Sequence, residues 1–150
     1  MFLMMDFDTK VKLAIYNTFA DTGKAPTVAQ LATRLAVPQP GIREAFERLQ
    51  AKRLLVLEPD ALEIRMAPPF SAVPTTFTVR AAGRTYFANC VWDSYGIAAA
   101  LHRDVDVATT CGCCDGPMAL AVRRGQPVAA PGVAHFAVPA AHWWEDIVFT

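Results

Sequence analysis

The chain lacks a net charge, a long apolar run and widely spaced cysteines. Fourteen basic and fourteen acidic side chains cancel, so no basic field of the kind that attracts nucleic acid is present. No run approaches the roughly 18 apolar residues of a membrane span. The apolar start has no basic lead-in and soon meets Asp6 and Asp8, unlike an export signal. The four clustered cysteines do not suit a secreted disulfide scaffold. We therefore expect a reduced, cytoplasmic protein that has no membrane partner, and the charge does not support DNA as a partner.

The first part of the chain has the pattern of a small helical module. Apolar residues recur at helical spacing in three segments, 8–20, 27–35 and 39–52. Asp8 and Thr27 are available as helix caps. Two short apolar runs that suit a β-hairpin follow, 54–57 and 62–66. Three helices and a hairpin are the order of a winged helix, so we predict a winged-helix-like module over residues 1–67.

A winged-helix order raises the question of DNA contact by the third helix. Four cations lie on or just after this segment: Arg43, Arg48, Lys52 and Arg53. They could meet phosphates, but Glu44 and Glu47 interrupt the basic face. The other interpretation is a module used only for packing or dimerisation, and the neutral charge of the chain favours it.

A proline-rich segment, 68–74, separates this module from a second one over residues 75–150. We predict strands at 75–81, 84–88, 105–110, 118–123 and 133–138. A helix capped by Asn89 is expected over 90–101, and Pro139 opens a last helix or turn. The fold class is thus α+β, with a small mixed or antiparallel sheet. The apolar ending, Ile147 to Phe149, needs cover from the chain itself or from a second copy, which would make a homodimer.

Cys90 is the candidate nucleophile. It stands between a predicted strand and a predicted helix, where free backbone amides and the helix dipole favour an anion and lower the pKa of a thiol. Asp93 lies three residues further on, which is the same face of a helix. A thiolate and a protonatable carboxyl group would then share one space. The alternatives are a small buried apolar residue for Cys90 and a first-turn acid for Asp93.

Three more cysteines lie in the segment Cys-Gly-Cys-Cys-Asp-Gly-Pro-Met: Cys111, Cys113 and Cys114. Their soft sulfur atoms suit soft metals and metalloids. A structural knuckle holding zinc or another soft metal is the rival interpretation. It would need a fourth ligand from Asp115, His102 or His135. Trp143 and Trp144 are expected in the core, in an interface or along a hydrophobic substrate pocket.

Three segments in the right order resemble the organomercurial (alkylmercury) lyases. Phe87 to Asp93 is similar to that family's aromatic-Ala-x-Cys-x-x-Asp segment, and Thr110-Cys111 with Pro117 to Leu120 is similar to its second cysteine segment. His135 to Ala140 resembles its third. The resemblance covers residues from about 75 to 146 and implies the same kind of fold, with a helical module ahead of the core. It also implies a compact member without the family's C-terminal extension.

The resemblance also implies roles for individual residues. Cys90 would bind mercury, Asp93 would deliver a proton to the leaving carbon, and Cys111 would be structural. The family places a further catalytic cysteine just ahead of the His-Phe pair, where this chain has Pro131 and Gly132. The second thiolate would therefore come from Cys111, Cys113 or Cys114. No cofactor is required, since mercury is substrate and product.

The leading hypothesis is thus an enzyme that protonates a carbon–mercury bond and releases a hydrocarbon and Hg(II). Its partners would be a small organometal or a soft metal ion. The alternative is a non-catalytic protein that binds a soft metal or metalloid as a sensor, carrier or store. A third hypothesis keeps the fold but uses Cys90 and Asp93 on an unrelated small substrate.

Overall fold

The computed structural model describes residues 5–148, and its first part consists of three helices. They are α1 (Phe7–Thr22), α2 (Val28–Leu35) and α3 (Gln39–Ala51). The predicted Thr27 cap is confirmed, because its side chain and that of Gln30 form a reciprocal capping box. The predicted Asp8 cap is wrong: Asp6 accepts the Thr9 amide at 3.0 Å and opens α1.

Asp8 has a different task, which is to hold the third helix against the first. Its buried carboxylate accepts hydrogen bonds from Arg48 at 2.8 Å and from Lys52 at 2.9 Å. These two cations hold the pKa of Asp8 below its usual range. Two of the four cations considered for phosphate contact are therefore engaged within the chain. This observation favours packing as the task of the third helix.

The described strands form one eight-stranded antiparallel sheet with the order β1-β2-β3-β5-β4-β6-β7-β8. Their bounds are β1 (Val56–Leu57), β2 (Ile64–Ala67), β3 (Phe70–Ser71), β4 (Phe77–Ala81), β5 (Arg84–Ala88), β6 (Val105–Thr110), β7 (Pro117–Arg123) and β8 (Gln126–Pro127). The fourth helix, α4 (Val91–Leu101), connects β5 to β6, and a 3₁₀ helix spans Ala140–Glu145. The fold class α+β is confirmed.

The proline-rich segment 68–74 was expected to be a connector outside the sheet, and that expectation is wrong for its centre. Phe70 and Ser71 form β3, which pairs with β2 on one side and with β5 on the other. Both residues have amides that can join a ladder, unlike the prolines around them. The sheet is thus continuous across the predicted module boundary. The domain division itself stays a prediction.

The core joins the helices to the sheet around Phe70, whose exposed fraction is 2%. Its ring stacks on Phe19 of α1 with centroids 5.1 Å apart and lies 5.8 Å from Tyr86 of β5. The Tyr86 hydroxyl donates to the carbonyl of Ala20 at 2.8 Å. Helix α1 is therefore bound to the strand that leads directly to Cys90.

The predicted strand at 133–138 is wrong. The chain leaves the sheet after β8, and residues 133–138 pair with none of the described strands; the exposed fraction of Val133 is 93%. The expected final helix or turn is the 3₁₀ helix after Pro139. Its Trp144 ring lies 5.8 Å from the guanidinium carbon of Arg53.

Ile147 and Val148 end the described chain, and Phe149 of the predicted apolar ending lies outside it. None of the described helices combines the length and apolar character needed to cross a membrane.

Candidate active site

One edge of the sheet collects the candidate residues. Strands β5 and β6 are both antiparallel to β4, which lies between them, so they run in the same direction and end at the same edge. Cys90 follows the end of β5 by two residues, and Cys111 follows the end of β6 directly. The backbones of β5 and β6 are about 10 Å apart, twice the usual strand spacing. Sheet topology therefore brings the two cysteine segments to one side of the molecule.

Cys90 is the N-cap residue of α4, in place of the predicted Asn89 cap, and its side chain makes no capping hydrogen bond. Its extended backbone places its carbonyl to accept both the amide and the hydroxyl of Ser94, at 3.0 and 3.1 Å. The thiol is free and half-buried. It is thus neither sealed in the core nor fully in solvent.

The predicted lowering of the Cys90 pKa is wrong. Burial raises the pKa of this thiol, and the negative charge of Asp93 raises it further. The backbone amides of Asp93 and Trp92 do face the sulfur and oppose the rise, as the helix-start argument expected. Their effect is smaller than the loss of solvation. Cys90 therefore carries its proton more firmly than a free cysteine does.

Asp93 shares this half-buried space. Burial raises the pKa of its carboxyl group, while a hydrogen bond from the Asn89 amide at 2.8 Å lowers it in part. A carboxyl group with a raised pKa holds a proton closer to neutral pH and can deliver it as a general acid. The carboxyl group lies near Tyr16, whose pKa is raised first by burial and then by the charge of Asp93.

Two residues whose roles here the sequence did not indicate, Thr75 and Asn89, help to position Cys90 and Asp93. The Thr75 hydroxyl donates to the carbonyl of Ala88 at 2.6 Å and so fastens the end of β5 to the start of β4. Asn89, expected only as a cap, bonds Asp93 instead and leaves its own Oδ1 buried without a partner. The spacing of four between Asn89 and Asp93 is the one sequence signal that could have indicated this contact.

The segment 111–116 is a tight turn at the same edge. The Cys111 amide donates to the carbonyl of Gly116 at 2.8 Å, and the Asp115 amide donates to the carbonyl of Cys111 at 2.9 Å. The backbone amide of Cys113 and then the thiol of Cys114 face the Cys111 sulfur and lower the pKa of Cys111. Cys113 and Cys114 are exposed. The lowered thiol pKa predicted for Cys90 is thus found at Cys111.

The four cysteines do not assemble into one metal cluster. Within residues 5–148, no group of three or more His, Cys, Asp or Glu side chains is arranged to hold a metal ion. The zinc interpretation of the turn, which needed Asp115, His102 or His135 as a fourth ligand, gains no support. The pairing of Cys90 with a second cysteine stays a prediction. The described surface has two depressions, and neither of them is lined by Asp93 or by a cysteine.

Comparison with protein families matches residues 70–150, just over half of the chain, to the family described as MerB, alkylmercury lyase. This chain belongs to the alkylmercury lyase family. The chain is also similar to a solved structure described as the crystal structure of the mercury-bound form of MerB2, with a TM-score of 0.68 and 25% sequence identity. That match covers 85% of this chain but only 61% of the other. No curated protein matches the sequence.

Gly132, which the resemblance places with Pro131 at the position of the family's further cysteine, also lies near this edge. A Cβ atom on Gly132 would lie 3.5 Å from the Cε atom of Met118. Met118 is the second residue of β7 and pairs with Thr109 of β6. Pro131 and Gly132 offer no sulfur there. Besides Cys90, the thiols at this edge are those of the neighbouring turn 111–116.

Proposed function

We propose that the protein cleaves the carbon–mercury bond of organomercurials by thiolate-assisted protonation. The observation that carries the proposal is the half-buried pair at the start of α4, where the Asp93 amide faces the Cys90 sulfur and the Asp93 carboxyl group has a raised pKa. Membership of the alkylmercury lyase family supports it. The mercury-bound state of the similar MerB2 structure supports mercury as the ion.

In the proposed reaction, the proton of the Cys90 thiol is transferred twice, first to Asp93 and then to the carbon. The Cys90 thiol passes its proton to the Asp93 carboxylate as its sulfur bonds to mercury and displaces the ligand opposite the carbon. A raised thiol pKa does not prevent this step, because a soft metal displaces the proton from sulfur. Asp93 then gives the proton to the carbon, the carbon–mercury bond breaks and the hydrocarbon leaves. Hg(II) stays on sulfur, and Asp93 is again a carboxylate.

A second thiolate would complete the reaction by making the attached carbon more basic. We assign it to Cys113 or Cys114, since the family's usual cysteine position holds Pro131 and Gly132. Both thiols are exposed and free, and their turn shares the sheet edge with Cys90. The reaction needs no resident cofactor. A cytoplasmic setting, which keeps thiols reduced, belongs to the same proposal.

Hydrocarbon release tests the proposed chemistry. The protein is incubated with an alkylmercury chloride and an excess of a monothiol, and the hydrocarbon is measured by gas chromatography. We expect continuous release by the unaltered chain and a loss of about 100-fold or more for Cys90→Ser and for Asp93→Asn. Asp21→Asn, which removes an exposed acid from α1, should release hydrocarbon at the unaltered rate. Absence of turnover, or equal turnover by Cys90→Ser, would overturn the proposal.

A non-catalytic protein that binds a soft metal or metalloid is the second candidate. The raised pKa of Cys90 and the two exposed thiols Cys113 and Cys114 favour it. It would bind the mercurial in a fixed ratio and release no hydrocarbon. A sensor of this kind would also bind DNA with an affinity that falls as salt rises, and the engagement of Arg48 and Lys52 by Asp8 argues against that version.

A further inference from the structure

The turn at the end of β6 contains the spacing Cys-x-x-Cys, from Cys111 to Cys114. This spacing brings two thiols together in one turn and is typical of dithiol and soft-metal sites. Backbone hydrogen bonds from Cys111 to Gly116 and from Asp115 to Cys111 close the turn. Its shape therefore comes from the backbone and does not depend on a bound ion.

The Cys111 sulfur has both other thiols of the turn as neighbours. The backbone amides of Cys113 and Cys114 and the thiol of Cys114 lower the pKa of Cys111, and the thiol of Cys113 lowers it least. The Cys114 sulfur lies close to Gly116, because a Cβ atom added to Gly116 would be only 3.3 Å from this sulfur. Gly116 is the residue whose carbonyl accepts the Cys111 amide. The Cys114 sulfur therefore lies beside the residue that closes the turn onto Cys111.

The chemistry of the pair limits what it can bind. The described residues offer no third His, Cys, Asp or Glu arranged around an ion, so a cation that requires four protein ligands, such as structural zinc, does not fit. Thiolates select soft cations, and mercury and monovalent copper are satisfied by two of them. Binding would release the two thiol protons to water.

We infer that Cys111 and Cys114 together form a separate two-thiolate site for a soft cation, such as Hg(II) or Cu(I), which works without Cys90. The strand β4 lies between this turn and the end of β5 that leads to Cys90. The site contains neither the candidate nucleophile Cys90 nor the candidate acid Asp93, although Cys114 is also one of the two residues proposed above as the second thiolate of the lyase reaction. Cys113 lies between the two ligands in sequence and is not one of them.

Retention of Hg(II) against a competing monothiol tests the site. The test uses the full chain carrying Cys90→Ser, so that binding at the lyase centre does not contribute. Mercury is added in a fixed ratio, glutathione is added in excess, and the bound metal is counted by mass spectrometry after dialysis. We expect one equivalent to stay bound, since two thiols in one turn act at a high effective concentration.

Three further substitutions in the Cys90→Ser background decide between the thiols. Cys111→Ser and Cys114→Ser should each weaken retention on the order of 100-fold, whereas Cys113→Ser should retain mercury like its parent. Circular dichroism checks that every variant is folded. Loss of all mercury from the parent, or an equal loss from Cys113→Ser and Cys114→Ser, would overturn the inference. Either result leaves the hydrocarbon-release test of the unaltered chain unaffected.

Discussion

Cys90 and Cys111 occupy opposite environments within one edge of the sheet. Cys90 is half-buried beside the acid Asp93, and both effects raise its pKa. The Cys111 sulfur meets backbone amides and neighbouring thiols, which lower its pKa. A thiolate forms only as the pH approaches the pKa of the thiol. The two residues should therefore titrate in a definite order.

We predict that Cys111 is alkylated by iodoacetamide at a lower pH than Cys90. The extent of labelling of each peptide is followed by mass spectrometry across the pH range, and the midpoints are compared. Asp93→Asn should move the Cys90 midpoint to lower pH, because it removes a negative charge that opposes the thiolate. Asp21→Asn controls for the loss of a charge elsewhere. The environments described above are incorrect if Cys90 reacts at lower pH than Cys111.

At the scale of elements, the position of α4 depends on a close contact with the proline segment before β3. Gly96 of α4 lies against Pro69, where an added Cβ atom would be 2.9 Å from the proline Cβ atom. A proline ring cannot rotate away as a long side chain can. The same helix carries Asp93 one turn earlier. The absence of a side chain at Gly96 thus sets how close the helix and its acid come to the sheet.

We predict that Gly96→Ala destabilises the protein by about 1–3 kcal/mol, the usual cost of overpacking, although alanine is the better helix former. Gly41→Ala in α3 is the matched control. Nothing lies within 4 Å of the added atom there, so it should gain up to about 1 kcal/mol. Urea unfolding monitored by circular dichroism gives both values. If Gly96→Ala is as stable as its parent, the contact with Pro69 does not limit the helix.

At the scale of the whole molecule, the helices and the sheet share one core. Phe70 lies in the segment that was expected to separate two modules, yet it contacts Phe19 of α1 and Tyr86 of β5. Tyr16 of α1 also donates to the carbonyl of Pro68 at 2.8 Å. Side chains from both halves of the chain thus pack on the same segment, which couples their stabilities.

We predict that Phe70→Ala lowers the free energy of unfolding by about 3–5 kcal/mol and does so equally for α1 and for β4 and β5. Native-state hydrogen exchange measures the two regions separately in one sample. Phe87→Ala, which removes a half-buried ring from the same sheet, should cost less. Loss of protection in only one region would mean that residues 1–67 and 75–150 unfold as independent modules.

Local patterns in the sequence were sufficient for most of the elements. Helical spacing and the Thr27 cap located the first three helices. The β-rich runs at 75–81 and 84–88 located β4 and β5, and the two residues between these strands, Ala82 and Gly83, have positive φ angles in a tight turn. The strand expected at 133–138 does not form. Alternation of apolar residues gives a strand only where the backbone pairs with another strand, and this segment pairs with none of the described strands.

The sequence by itself determined the kind of chemistry: a thiol and an acid three residues apart at a strand-to-helix junction, three further thiols in a turn, and a chain without strong charge. The tertiary structure alone decided which thiol loses its proton readily, because a pKa depends on burial and on neighbours such as Asn89, Asp93 and the amides of the turn. It also decided that the two cysteine segments share an edge, because strand order in a sheet depends on pairing between distant parts of the chain and not on local sequence.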